Sequence, residues 1–205
     1  MALSLWLGFF AAAILIAISP GPGAVVSMST GLHHGYRAAL QVIIGLQTAI
    51  FLQLVIVALG LGVLLASSEL AFEIVKLIGA SYLIWLGIQK WRSEPQATNE
   101  NHLPVIPNGL FLQGLLVNLT NPKAIIFIAA LVPQFIDPAR SQWPQFLVIA
   151  LTLISVDVVV MSAYALLATR LRRWLHDPKA ARAQNRFFSA IFIGAGVLLA
   201  ISGRN

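Results

Sequence analysis

No cysteine occurs among the 205 residues, which excludes disulfides, thiolate metal sites and cysteine nucleophiles. Charge is nearly as scarce. Asp, Glu, Lys and Arg make up 10% of the chain, whereas a soluble domain carries about a quarter. Also missing are His-Glu-x-x-His and Gly-x-Ser-x-Gly motifs, and none of the four histidines falls in an apolar run. An intramembrane enzyme would need such a nucleophile–base pair or metal motif, so the residues argue against catalysis and call for no cofactor. What the chain has instead is apolar surface: 59% hydrophobic residues and a mean hydropathy of +0.86. This is the composition of an integral membrane protein.

Taken in order, the sequence predicts an all-α protein of six transmembrane helices, at about Leu3–Met28, Ala38–Ala66, Leu70–Trp91, Gly109–Val132, Phe146–Thr169 and Phe187–Ser202. Each is near the roughly 20 residues needed to cross a bilayer. The first resembles a signal peptide but has no positive n-region, the first cation being Arg37, so it reads as an uncleaved span. A polar connector at 93–108 divides a three-helix unit at 1–92 from a second at 109–205. Glu73 and Lys76 lie three apart at the start of span 3 and should pair near the surface.

The net charge of +6 would suit nucleic acid, but the cations flank the spans and act as orientation signals. Loops one, three and five hold nine of them: Arg37, Lys90, Arg92, Arg170, Arg172, Arg173, Lys179, Arg182 and Arg186. Loops two and four and the termini hold two, Arg140 and Arg204. The odd loops should therefore be cytoplasmic and both termini should face outward. The basic stretch after span 5 could also meet anionic lipid.

Polar residues inside the spans carry the functional signal. Span 4 contains Asn118, Asn121, Pro122 and Lys123. A midplane lysine costs about 2.5–3.5 kcal/mol on insertion scales. Pro122 also removes a helix hydrogen bond, which membrane helices tolerate where the freed backbone faces protein or a wet cavity. Span 1 breaks at Pro20, Gly21, Pro22 and Gly23, and span 5 places Asp157 near its centre. The halves echo each other: Leu77-Ile-Gly-Ala80 matches Phe192-Ile-Gly-Ala195, and each half opens with a broken span. Three spans per copy makes the second copy inverted. Matching interruptions in two inverted halves point to a transporter with its site between the breaks.

Free N–H groups at Gly21, at Gly23 and after Pro122 can bind a carboxylate. Gln47, Asn118 and Asn121 can hydrogen-bond a solute, and Asp157 can attract an ammonium. The combination suits a small zwitterion such as an amino acid. Lys123 and Asp157, at similar depth, are expected to form an ion pair, with Asp157 carrying the coupled proton. The rival is a divalent-metal exporter, for which one central carboxylate and no cysteine are poor ligands. His33-His34 reads as a surface pair. Ala190-x-x-x-Gly194 permits close helix contact within one chain or in a homo-oligomer.

Ser19-Pro-Gly-Pro-Gly-Ala24, Gly35-Tyr-Arg37, Gly79-Ala-Ser-Tyr-Leu-Ile-Trp-Leu-Gly87 and Asn118-Leu-Thr-Asn-Pro-Lys-Ala124 are similar to the LysE/RhtB family of bacterial amino-acid exporters. The likeness runs nearly end to end. Ala71-Phe-Glu73, Pro133-Gln-Phe-Ile136 and Val156-Asp157 carry it toward the homoserine-exporting members. The resemblance implies a bacterial inner-membrane protein that exports homoserine, its lactone and threonine in exchange for protons. The family's proline-glycine and Asn-Pro-Lys breaks map onto Pro20–Gly23 and Asn121–Lys123. One departure is Phe127-Ile128, where many members read Phe-Phe, and it bears on the choice of substrate.

Overall fold

A computed structural model describes residues 1–67, 69–92, 109–137, 139–168 and 178–201, and these are helical with short joints. The 93–108 connector, Arg170, Arg172, Arg173, Arg204 and the Lys76 side chain with its expected partnership lie outside the described residues. The helices are α1 (Leu3–Ile18), α2 (Pro22–His34), α3 (Tyr36–Ser67), α4 (Glu69–Arg92), α5 (Leu110–Leu119), α6 (Pro122–Ile126), α7 (Gln142–Leu166) and α8 (Pro178–Ile201). A π-helical turn, Phe127–Leu131, and a 3-10 turn, Val132–Phe135, prolong α6. Pro133 has no N–H for the carbonyl four residues back, and Val132 N–H bonds instead to Phe127 O, five back.

The two expected breaks are present. α1 and α2 meet at 55°, and α5 meets α6 with its extension at 54°. In both cases proline stands at the first position of the second helix, where its missing N–H costs nothing. α3 and α7 are by themselves long and apolar enough to span a membrane, and counting each bent pair as one span makes four. α4 and α8 are each 24 residues long, and α8 carries an apolar stretch at Asn185–Leu198 among the described residues.

Between apolar helices in lipid there is little hydrophobic drive to associate, so small residues that let backbones approach decide which helices pair. α3 lies on α5 through Gly45 and Gly114. A Cβ on Gly45 would run into the Phe111 carbonyl, and one on Gly114 into the Val42 carbonyl. α2 lies on α7 through Gly31, where a Cβ would stand 2.9 Å from Ala165 Cα. α4 and α8 run antiparallel: Gly87 faces Ser189 and Ile193, whereas Gly196 faces Ala80 and Ile84. Ser189 Oγ seals that contact by donating to Gly87 O. The Ala190–Gly194 motif plays no such part within the chain, since a Cβ on Gly194 would meet nothing within 4 Å and both residues face outward.

The core nearest the breaks is apolar. Phe9 and Ala13 of α1, Ile50 and Leu54 of α3, Phe127, Ile128 and Val132 of the π and 3-10 turns, and Ile149 and Leu153 of α7 form one buried cluster. It holds both broken segments against the two long helices.

Candidate functional site

A proline at position i withholds a hydrogen bond from the carbonyl at i−4, so each break creates identifiable orphan acceptors. Pro20 leaves Ile16 O and Pro22 leaves Ile18 O without the donor four residues on; Pro122 does the same to Asn118 O, which Asn121 N–H reaches instead at 3.2 Å. Side chains from other segments reach all three. Lys123 Nζ donates to Ile16 O at 2.8 Å and to Ser19 O at 2.5 Å. Tyr164 Oη, from α7, donates to Ile18 O at 2.7 Å. Gln53 Nε2, from α3, donates to Asn118 O at 3.0 Å. The polar residues inside these spans therefore begin as repairs to the broken backbones.

The asparagines are built into the second break. Asn118 Nδ2 donates to Leu46 O at 3.0 Å, Asn121 Nδ2 donates to Asn118 Oδ1 at 3.1 Å, and Asn121 Oδ1 caps α6 by accepting from Lys123 N–H at 3.1 Å. That last bond uses an amide expected to be open to a carboxylate. The amide of Lys123 is thus already engaged, and the first turn of α2 is left as the better anion seat.

A cavity of about 50 Å³ lies between the breaks. Gly21, Gly23 and Ala24 at the start of α2 line it, together with Asn118, Asn121, Lys123, Ile50, Phe127, Ile128, Leu153, Asp157 and Met161. First-turn N–H groups of a helix have no partner within it, and the helix dipole adds positive potential there. Asp157 Oδ2 accepts from Gln47 Nε2 at 2.7 Å. Gln47 Oε1 is buried and has no hydrogen-bond partner among the described residues.

Of the residues singled out from the sequence, Gly21, Gly23, Asn118, Asn121, Lys123 and Asp157 share this one cavity. Gln47 reaches it through Asp157. Pro20, Pro22 and Pro122 shape the breaks without lining the cavity. Lys123 and Asp157, expected to pair, line the same cavity, while their hydrogen bonds go to the α1 carbonyls and to Gln47 respectively. Phe127-Ile128, the departure from the family pattern, stands in the cavity wall. Tyr164 was not singled out. Its signal was available, because Pro22 orphans a carbonyl at Ile18 and a spanning tyrosine is a ready donor.

Comparison with known proteins accounts for nearly the whole chain. A family model described as LysE type translocator matches residues 14–203. The chain is 45% identical to an uncharacterized membrane protein of Vibrio cholerae, covering 98% of both chains. It is 46% identical to the homoserine/homoserine lactone efflux protein of Salmonella typhimurium, covering 95% of each. A leucine efflux protein of an Enterobacter strain is 33% identical, with 92% of this chain and 91% of that protein covered. No solved structure matches the chain. With the family model covering both breaks and the cavity between them, the protein belongs to the LysE type translocator family.

Proposed function

We propose that the protein is an amino-acid efflux transporter of the bacterial inner membrane. It exports homoserine, homoserine lactone and related neutral amino acids such as threonine by proton antiport. The observation that carries this reading is the cavity between the two breaks, where the α2 N-terminus and Asp157 face one space. The α2 amides suit a carboxylate, and Asp157 with the unpartnered Gln47 Oε1 suits an ammonium. A small zwitterion satisfies both ends, which supports the substrate class of the efflux proteins among its relatives. The lactone, which has an ammonium but no carboxylate, would use the second end alone.

In this reading α4 and α8 complete six spans arranged as two inverted three-helix repeats. Support comes from the pairing of helices: the broken span of each half packs on the long helix of the other, α5 on α3 and α2 on α7. The antiparallel α4–α8 pair fits an odd number of spans per repeat. Asp157 would exchange its proton as substrate enters or leaves, and rocking of the halves would open the cavity to each side in turn. The nine-to-two distribution of cations in the loops supports cytoplasmic odd loops and periplasmic termini.

The test is uptake of labelled homoserine into inside-out vesicles holding the purified protein, under an imposed proton gradient. Accumulation that depends on the gradient is expected, with inhibition by unlabelled threonine and none by divalent metals. Uptake of a divalent metal, with no homoserine uptake by folded and oriented protein, would replace this reading with metal export.

A further inference from the structure

Lys123 is expensive in a membrane span, and its ammonium reaches across to the end of another helix. Its nitrogen bonds to Ile16 O and Ser19 O, the carbonyls at the broken end of α1. It also stands 3.5 Å from where a Cβ on Gly21 would lie, so it fills the elbow between α1 and α2. The negative end of the α1 dipole is there, and the Asp157 carboxyl lines the same cavity. A cluster of carbonyl oxygens at an unwound helix end, with a carboxylate close by, has the chemistry of a monovalent-cation seat.

We propose that Lys123 is a tethered cation: its ammonium occupies a cation seat at the broken end of α1 and locks the α1–α2 elbow to the α5–α6 break. Lys123 is thus a positioning residue and does not act as the contact for the substrate carboxylate. Three observations converge. The first is the identity of the bonded atoms, one a carbonyl orphaned by Pro20 and the other at the α1 cap. The second is the parallel role of Tyr164 at the neighbouring orphan, Ile18 O. The third is that Asn121 Oδ1 fixes the backbone of Lys123 itself, which aims the side chain from the second break to the first. The two breaks are joined by a single charged strut. The proposal deepens the transport reading of this site, and its main readout does not depend on what the protein carries.

The absence of cysteine makes the test clean. Lys123→Cys introduces a lone thiol, which is modified either with an aminoethyl methanethiosulfonate, restoring an ammonium one atom farther out than in lysine, or with its neutral propyl counterpart. Thermal melting of the purified protein in detergent and homoserine transport in vesicles are both followed. Unmodified protein should melt about 5 °C lower than wild type. The aminoethyl adduct should recover most of that shift and bring transport to within about threefold of wild type, since the seat regains its cation. The propyl adduct should do neither. Equal recovery with the propyl adduct, or wild-type melting of the unmodified variant, would overturn the proposal. Recovered melting without homoserine transport in any form, wild type included, would uphold the strut and count against the transport reading. Lys123→Met and Lys123→Arg supply a second pair should the thiol variant not fold. The arginine variant should be made at normal membrane levels and the methionine variant at several-fold lower levels, and equal levels would overturn the proposal.

Discussion

Replacing Tyr164 by Phe removes one oxygen and leaves the Ile18 carbonyl without its donor. Hydrogen bonds inside membranes are worth about 0.6 kcal/mol on average and reach about 1.7. For a chain of this size each kcal/mol shifts melting by roughly 2–4 °C. Tyr164→Phe should therefore lower the melting temperature by about 1–7 °C. Unchanged melting would mean that the α1 end is held without it. Asp157→Asn preserves size and a hydrogen-bonding partner for Gln47 but cannot carry a negative charge. It should insert at normal levels and lose gradient-driven export, while exchange of labelled for unlabelled substrate persists. Full gradient-driven export in this variant would remove Asp157 from the coupling step. Asp157 was legible in the sequence as a polar group in an apolar run, and Tyr164 was not read from it. The partners of such side chains were not legible, because most are backbone carbonyls and no residue type announces a carbonyl. Only the i−4 rule for proline points to them, and it identifies the acceptor without identifying the donor.

For whole elements, both breaks and the positions of α3, α4 and α7 could be read from proline placement and run length, whereas α8 begins at Pro178, nine residues before the expected Phe187, because its first turns are polar and carry Lys179, Arg182 and Arg186. Helix pairing could not be read, because it depends on glycines whose role lies in what stands opposite. Gly194 sits in a recognisable small-residue motif yet meets nothing, whereas Gly114, in no motif, lies against the backbone of α3. Gly114→Ala and Gly87→Ala should each force a helix pair apart. The first places a methyl on the Val42 carbonyl, and the second puts one 2.6 Å from Ile193 Cγ1. Both should reduce the folded fraction recovered from membranes several-fold. Gly194→Ala should stay within about 0.5 kcal/mol of wild type, as surface substitutions do. Size-exclusion profiles of the three variants, prepared side by side, provide the comparison. A Gly114→Ala variant that behaves like Gly194→Ala would refute the close α3–α5 contact.

For the whole molecule, orientation in the membrane rests on loop charge and is open to a direct test. Since the chain contains no thiol, Arg140→Cys and Arg182→Cys each introduce one. A maleimide that cannot cross membranes, added to intact cells, should label the Arg140 position. The Arg182 position should react only after the membrane is opened. The reverse pattern would invert the topology and would place the cavity's carboxylate on the opposite side of the coupling scheme. The all-helical character was legible from composition because lipid leaves few options for a backbone. The cavity followed less directly, since Gly21 and Lys123 are 102 positions apart and meet only because the two breaks face each other.

One joint in this fold is only a single residue long. Gly35 alone separates α2 from α3, at φ 79° and ψ 170°, a conformation that is essentially open to glycine only. A longer loop would let one helix slide while the other stayed in place. Here there is no slack, and the next residue, Tyr36, is tied by its hydroxyl to Ser162 of α7. In the α2–α3 hairpin Gly35 would serve as a fulcrum: a tilt of α2 at the cavity would be delivered as a pull on α7, the helix that carries Asp157.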